Sequence, residues 1–194
     1  PLNNYAKTKS EGEEVVRQNY SEALIIRTNF FGLGPSYKHS FSDKILNNLQ
    51  KGKYSNLFED VYYTPVSVDT LKSQVYQLLE KKAKGVFNIS SNERLTKYEF
   101  GLLIAKNYGY SEELIKPISI KEIKNLTKRP KDMSLSNHKL SSFLSNSIPS
   151  LNEQIKGIKS AKIKKRIVIP YGRQDINKKD VETVVNILQS DYVT

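Results

Sequence analysis

An α/β fold is what this sequence predicts, and three observations predict it. Short uninterrupted apolar runs alternate with longer segments whose apolar residues recur every three or four positions. Two of the longer segments open on a capping-box pattern, Thr96 with Glu99 and Ser150 with Glu153, in which each side chain satisfies an orphan amide at a helix start. Chain breakers fall between the segments, at Gly32, Gly34, Gly52, Pro65 and Gly109.

Taken in order, residues 3–19 read as a helix with Val15 and Val16 as its apolar anchors. Ala23-Leu24-Ile25-Ile26-Arg27-Thr28 reads as a short buried strand, and Asn29-Phe30-Phe31-Gly32-Leu33-Gly34-Pro35 as the turn leaving it. Ser42 to Gln50 carries Ile45, Leu46 and Leu49 at helical spacing, and Gly52 closes it. Asn56-Leu57-Phe58 is a short strand, and Pro65 marks a break because the residue before a proline avoids helical backbone. Val68, Leu71, Val75, Leu78 and Leu79 form one apolar stripe and predict a helix over 67–82. Val86-Phe87-Asn88-Ile89 is a core strand. Phe100, Leu103, Ile104 and Tyr108 line the helix that Thr96 caps, and a last helix runs from Leu151 to Ile158.

Composition bounds the chemistry. With no cysteine, disulfides and thiolate catalysis are excluded. His39 and His138 are too few for a zinc or iron site. No run approaches the roughly 20 apolar residues of a membrane helix, and no secretory signal is present, so a cytoplasmic protein is expected. The net charge of +11 comes from 31 lysines and arginines against 20 acidic residues, and the lysines outnumber the arginines 25 to 6, a bias better explained by solvated faces than by nucleic-acid binding. A basic cleft also suits an anionic small molecule.

Tyr5 and Lys9 stand four residues apart, on one face of the first helix. An ammonium beside a phenol favours phenolate, and such a tyrosine passes a proton to or from a carbonyl oxygen. With 12 tyrosines and 25 lysines the spacing also arises by chance, so the context has to decide.

That context is a series of landmarks in order: Tyr5-Ala6-Lys7-Thr8-Lys9 heading a helix, the strand and turn through Pro35, Tyr63-Thr64-Pro65-Val66-Ser67-Val68-Asp69, Gly85-Val86-Phe87-Asn88-Ile89-Ser90, and Arg129-Pro130-Lys131-Asp132-Met133-Ser134-Leu135. Over about residues 1–158 the chain resembles the extended short-chain dehydrogenases/reductases that act on nucleotide sugars, closest to the dTDP-4-dehydrorhamnose reductase group. The resemblance implies the C-terminal portion of a Rossmann-like short-chain dehydrogenase with its substrate-binding subdomain. It implies NAD- or NADP-dependent reduction of a 4-keto-6-deoxy nucleotide sugar, with a nucleotide-diphosphate sugar as ligand and a homodimer as a permitted assembly. Tyr5 would give a proton to the 4-keto oxygen. Lys9 would lower the tyrosine's pKa and hold the nicotinamide ribose. Thr28 would lie beside the nicotinamide, Asn29 and Phe30 would face the substrate, and Arg129 would bind the diphosphate through paired hydrogen bonds.

There are two departures. Ala6 stands where that group has glycine, and Asn29 is more like the sugar-nucleotide epimerases and dehydratases. An epimerase or dehydratase therefore stays open, as does a basic interaction module without catalysis. No Gly-x-Gly-x-x-Gly occurs, so any cofactor contact is limited to the nicotinamide end. In that family the nucleotide-binding half precedes the tyrosine, whereas this sequence opens on Pro1. The expectation is an internal piece of a reductase, inactive by itself.

Lysines at 156, 159, 162, 164 and 165 with Arg166 predict a basic linker over 159–166. Residues 167–194 resemble the first residues of sugar-nucleotide aminotransferases that use pyridoxal phosphate, a short strand–helix remnant with Asn177 as N-cap and without that family's Schiff-base lysine. Two functions of one deoxy- or amino-sugar pathway are expected to be joined here.

Overall fold

A computed structural model describes residues 1–34, 39–163 and 182. Apart from Glu182, the remnant at 167–194 lies outside the described residues, as do the linker's last residues, 164–166. The chain divides into two units, Pro1–Ile163 and Lys164–Thr194.

Within the first unit the elements run α1 (Asn4–Asn19), β1 (Leu24–Thr28), β2 (Phe30–Phe31), α2 (Phe41–Gln50), β3 (Ser55–Phe58), β4 (Tyr62–Tyr63), β5 (Val66–Ser67), α3 (Val68–Glu80), β6 (Gly85–Ile89), β7 (Leu95–Thr96), α4 (Lys97–Tyr108), β8 (Ile115–Ile118), α5 (His138–Leu144) and α6 (Leu151–Ile163). β1 and β6 pair in parallel from Leu24↔Gly85 to Thr28↔Ile89. β2–β5 and β3–β8 are also parallel, and β4–β7 is antiparallel. Parallel pairs joined through helices are the α/β arrangement the alternating pattern predicts. No described helix is long and apolar enough to cross a membrane.

Phe100 gathers the larger core. The predicted capping box forms: Glu99 Oε2 accepts from the Thr96 amide at 2.6 Å, and the Glu99 amide donates to Thr96 Oγ1 at 3.1 Å. This fixes the first turn of α4 and buries Phe100 completely. Its ring meets Phe31 of β2 edge-on at 5.0 Å and Tyr63 of β4 edge-on at 5.8 Å, and stacks on Phe41 of α2 at 6.1 Å. Gly101 lets α4 lie directly on the β3–β8 pair: a Cβ there would stand 2.3 Å from Leu57 and 3.0 Å from Ile115. Gly109 ends the helix in left-handed backbone, as predicted.

A second core holds Phe87 and Ile89 of β6 against Leu78 of α3 and against Leu140 and Leu144 of α5. Gln154 of α6, itself buried, connects α6 to the start of α3: its Oε1 accepts from the Ser67 amide at 2.7 Å and its Nε2 donates to the Pro149 carbonyl at 2.7 Å.

Three expectations need correcting. Val15 and Val16 do not anchor α1; they are 56% and 42% exposed, and α1 buries no residue. The anchoring is polar instead. Asn3 caps the helix, accepting from the Ala6 amide at 2.8 Å, and donates from Nδ2 to the Lys128 carbonyl at 2.9 Å. Arg27 of β1 grips Glu13 with bonds of 2.9, 3.0 and 2.5 Å, which holds that carboxyl below the usual range. The stripe on α3 is narrower than predicted, with Leu78 buried but Val68 and Leu79 exposed, because at 100° per residue Leu79 turns away from the face carrying Leu71, Val75 and Leu78. Finally, α6 continues to Ile163, so the linker's first five residues, 159–163, are helical; the run Lys159-Ser160-Ala161-Lys162-Ile163 holds no glycine or proline to stop it.

Replacing Phe100 by alanine should cost about 3–5 kcal/mol, read as a lower midpoint in urea denaturation. Amide hydrogen exchange should find α1 exchanging orders of magnitude faster than α4, since α1 has no buried contact to lose on opening.

Candidate active site

A cleft of about 820 Å³ opens beside the first turn of α1. Asn3, Asn4, Tyr5 and Ala6 form one side. Phe41, Asn56, Leu57, Phe58, Val61 and Lys97 form another, and Thr127, Arg129, Pro130 and Met133 the third. The walls are largely apolar, carry two cations, and contain no carboxylate among the described residues.

The third side belongs to a segment without regular structure, and β4 holds it in place. The Tyr62 amide donates to the Lys131 carbonyl at 2.7 Å, and the Met133 amide donates to the Tyr62 carbonyl at 2.9 Å. Arg94 then clamps the segment from outside, pairing with Asp132 at 2.8 Å while its guanidinium lies 3.8 Å over the Tyr62 ring. Bonds from Ser134, with Arg94, hold Asp132 at about 2. Asp60, between β3 and β4, accepts from the Ile120 amide at 2.8 Å, from Ser119 Oγ at 2.9 Å and from Lys131 Nζ at 3.0 Å. Partial burial pushes Asp60 upward, but these donors outweigh it and bring it to about 2.

The residues named from sequence fall in several places. Tyr5 and Arg129 share the cleft. Tyr5 is 72% exposed, at its mouth. Lys9 lies on the same helix face, its Nζ 5.7 Å from the centre of the Tyr5 ring, but is not a wall of the cleft. Glu13, one further turn along that helix, pairs with Arg27 of β1. Thr28, next along β1, has a buried hydroxyl with no hydrogen-bond partner among the described residues. Asn29 does not line the cleft; its Nδ2 donates to the carbonyl of Met133 at 2.8 Å and so supports a wall. Phe30 lines a separate cavity of about 170 Å³ that shares Phe41 and Lys97 with the main cleft.

Sequence reasoning missed Lys97, Phe41, Asn56 and Asp60. Lys97 alone left a signal: a cation in the first turn of a helix opposes the helix field, which favours negative charge there.

The model of the RmlD substrate-binding domain matches residues 1–163. The chain belongs to the RmlD substrate-binding domain family. Among its relatives, methionine adenosyltransferase 2 subunit beta of Rattus norvegicus is 31% identical over 147 residues, covering 72% of this chain and 44% of the relative. A protein of Haloferax volcanii named as a probable low-salt glycan biosynthesis reductase is 26% identical over 164 residues, covering 83% of this chain and 55% of the relative. The structure of a dTDP-4-dehydrorhamnose reductase of Bacillus anthracis in complex with NADP superposes with a TM-score of 0.75 at 20% identity, covering 83% of this chain and 56% of that one. This RmlD-type chain thus has a mixed α/β structure that resembles part of the Rossmann-like fold of those proteins, and it spans about half the length of the relatives it matches.

Acid stability should report the Asp60 contact. A carboxyl depressed to about 2 contributes stability at pH above its unfolded value, near 3.9, and loses it as pH falls toward about 2. Asp60→Asn should therefore lower stability at neutral pH and flatten its decline between about pH 4 and 2, followed by urea midpoints across that window.

Proposed function

We propose that this chain is the substrate-binding part of an NADH- or NADPH-dependent reductase acting on a 4-keto-6-deoxy nucleotide sugar. The observation that carries the reading is the placement of Tyr5 and Arg129 on one cleft, with Lys9 on Tyr5's face of α1. A bound nicotinamide would supply hydride to the sugar C4. The Tyr5 hydroxyl would give its proton to O4, completing the alcohol. Lys9 would bond the ribose hydroxyls. The orphan hydroxyl of Thr28, buried at the end of β1, fits a polar group arriving there. Arg129 makes no ion pair among the described residues and would take the diphosphate.

A second reading is a non-catalytic subunit. It is favoured by the likeness to a relative named as subunit beta of an adenosyltransferase. Ligand binding separates the two. Calorimetry should show dTDP binding that Arg129→Ala weakens about 10- to 100-fold, the worth of a charge-assisted bond. Failure of dTDP to bind at all would favour the subunit. In NADPH oxidation with dTDP-4-keto-6-deoxyglucose, the chain alone is expected to be silent. In any form that turns over, Tyr5→Phe should cost about 10²- to 10⁴-fold; undiminished turnover would remove Tyr5 from the chemistry.

A further inference from the structure

Lys97 is the first residue of α4, and its amide is already used, donating to the Val61 carbonyl at 3.2 Å. Its ammonium lies 3.2 Å from the centre of the Tyr63 ring and 5.0 Å from that of Phe41. It stands in the wall shared by the 820 Å³ cleft and the 170 Å³ cavity. Neither cavity has a carboxylate among its described walls. The nearby carboxylates are engaged elsewhere: Glu99 holds the Thr96 amide, and Asp43 serves Gly34 and Ser40. Among the described residues Lys97 has no ion-pair partner and no acceptor for its three N–H donors. Two aromatic faces offset part of the cost of burying the charge, but rings supply no directed acceptor.

We propose that Lys97 receives an oxyanion of the ligand in the cleft, its ammonium bonding a phosphoryl or carboxylate oxygen. The inference rests on the cleft being a ligand site, as read under Proposed function, and adds a second cation to Arg129. Apolar and aromatic walls strengthen such a pair relative to one at the surface. They also explain the cation's present state: burial brings the Lys97 pKa down to about 8. An arriving anion pushes it back up, so binding takes up a proton when the pH lies above about 8. The other titratable groups around Lys97 are Tyr63, whose phenol burial pushes upward and whose ring the ammonium overlies, and Tyr5 and Arg129, which line the same cleft.

The test is calorimetry of the 194-residue chain with dTDP, inorganic pyrophosphate and glucuronate, at about pH 7 and about pH 9.5, beside Lys97→Met and Lys97→Gln. At least one oxyanion should bind wild type about 10- to 100-fold more tightly than either variant at the lower pH. Wild type alone should lose most of that advantage at the higher pH. Lys97→Met should melt no lower than wild type, because a partly buried unpaired charge has been removed and an unbranched stem of similar length kept. The sources are told apart by which probe depends on Lys97: pyrophosphate and dTDP for phosphate, glucuronate for carboxylate. Lys97-dependent binding of glucuronate or pyrophosphate without dTDP upholds the oxyanion site and sinks the nucleotide-sugar reading. Binding of dTDP with equal affinity and pH profile in the variants does the reverse. No binding of any probe to wild type, or a Lys97→Met variant that melts well below it, overturns the proposal by marking Lys97 as a packing residue.

Discussion

The side of the cleft that carries Phe41 and Lys97 depends on Phe100 being held at the base of α4. The Thr96–Glu99 capping box fixes where the helix begins, and the ring then collects β2, β4 and the head of α2 around itself. Phe41 and Lys97 become cleft walls because each is bound to that cluster, Phe41 by stacking on Phe100 and Lys97 by preceding it three residues along the chain. Gly101 completes the arrangement by bringing α4 close enough to β3 and β8 for Leu57 to serve both core and cleft. One buried ring and the glycine beside it thus set where Phe41, Lys97 and Leu57 stand in the cleft wall.

The remaining walls are held by a different kind of force. The segment through Thr127, Arg129 and Met133 lacks regular structure, and it is laid along β4 by backbone bonds and fastened by Asp60 and Arg94. Directed polar bonds do for this segment what burial does for α4. An extended stretch carrying cations can be pinned in this way without surrendering its side chains to a core.

Elements with a period were legible in the sequence; elements without one were not. α2, α4 and β6 announced themselves through Ile45, Leu46 and Leu49, through Thr96 and Gly109, and through Val86 to Ile89. β2, β4, β5 and β7 are two residues each, too short for alternation to show, and their pairing is decided by partners far along the chain. Apolar character misled at Val15, Val16, Val68 and Leu79, where composition was read as burial. In the site, Tyr5, Lys9 and Arg129 stood out by residue type and order. Asp60 could not, and Lys97 showed only as a cation in the first turn of a helix, since their surroundings arise in space: three donors for the first, two rings for the second.

The polar attachment of α1 has a consequence for how such a molecule can change. Because no side chain of this helix is embedded in the interior, substitutions along it leave the stability of the body nearly untouched. The phenol at its head can be retuned, or the neighbouring alanine exchanged, while the scaffold keeps its margin against unfolding. The cleft residues that α1 supplies and the packing that holds the body are thus carried by separate parts, so the first can vary without weakening the second.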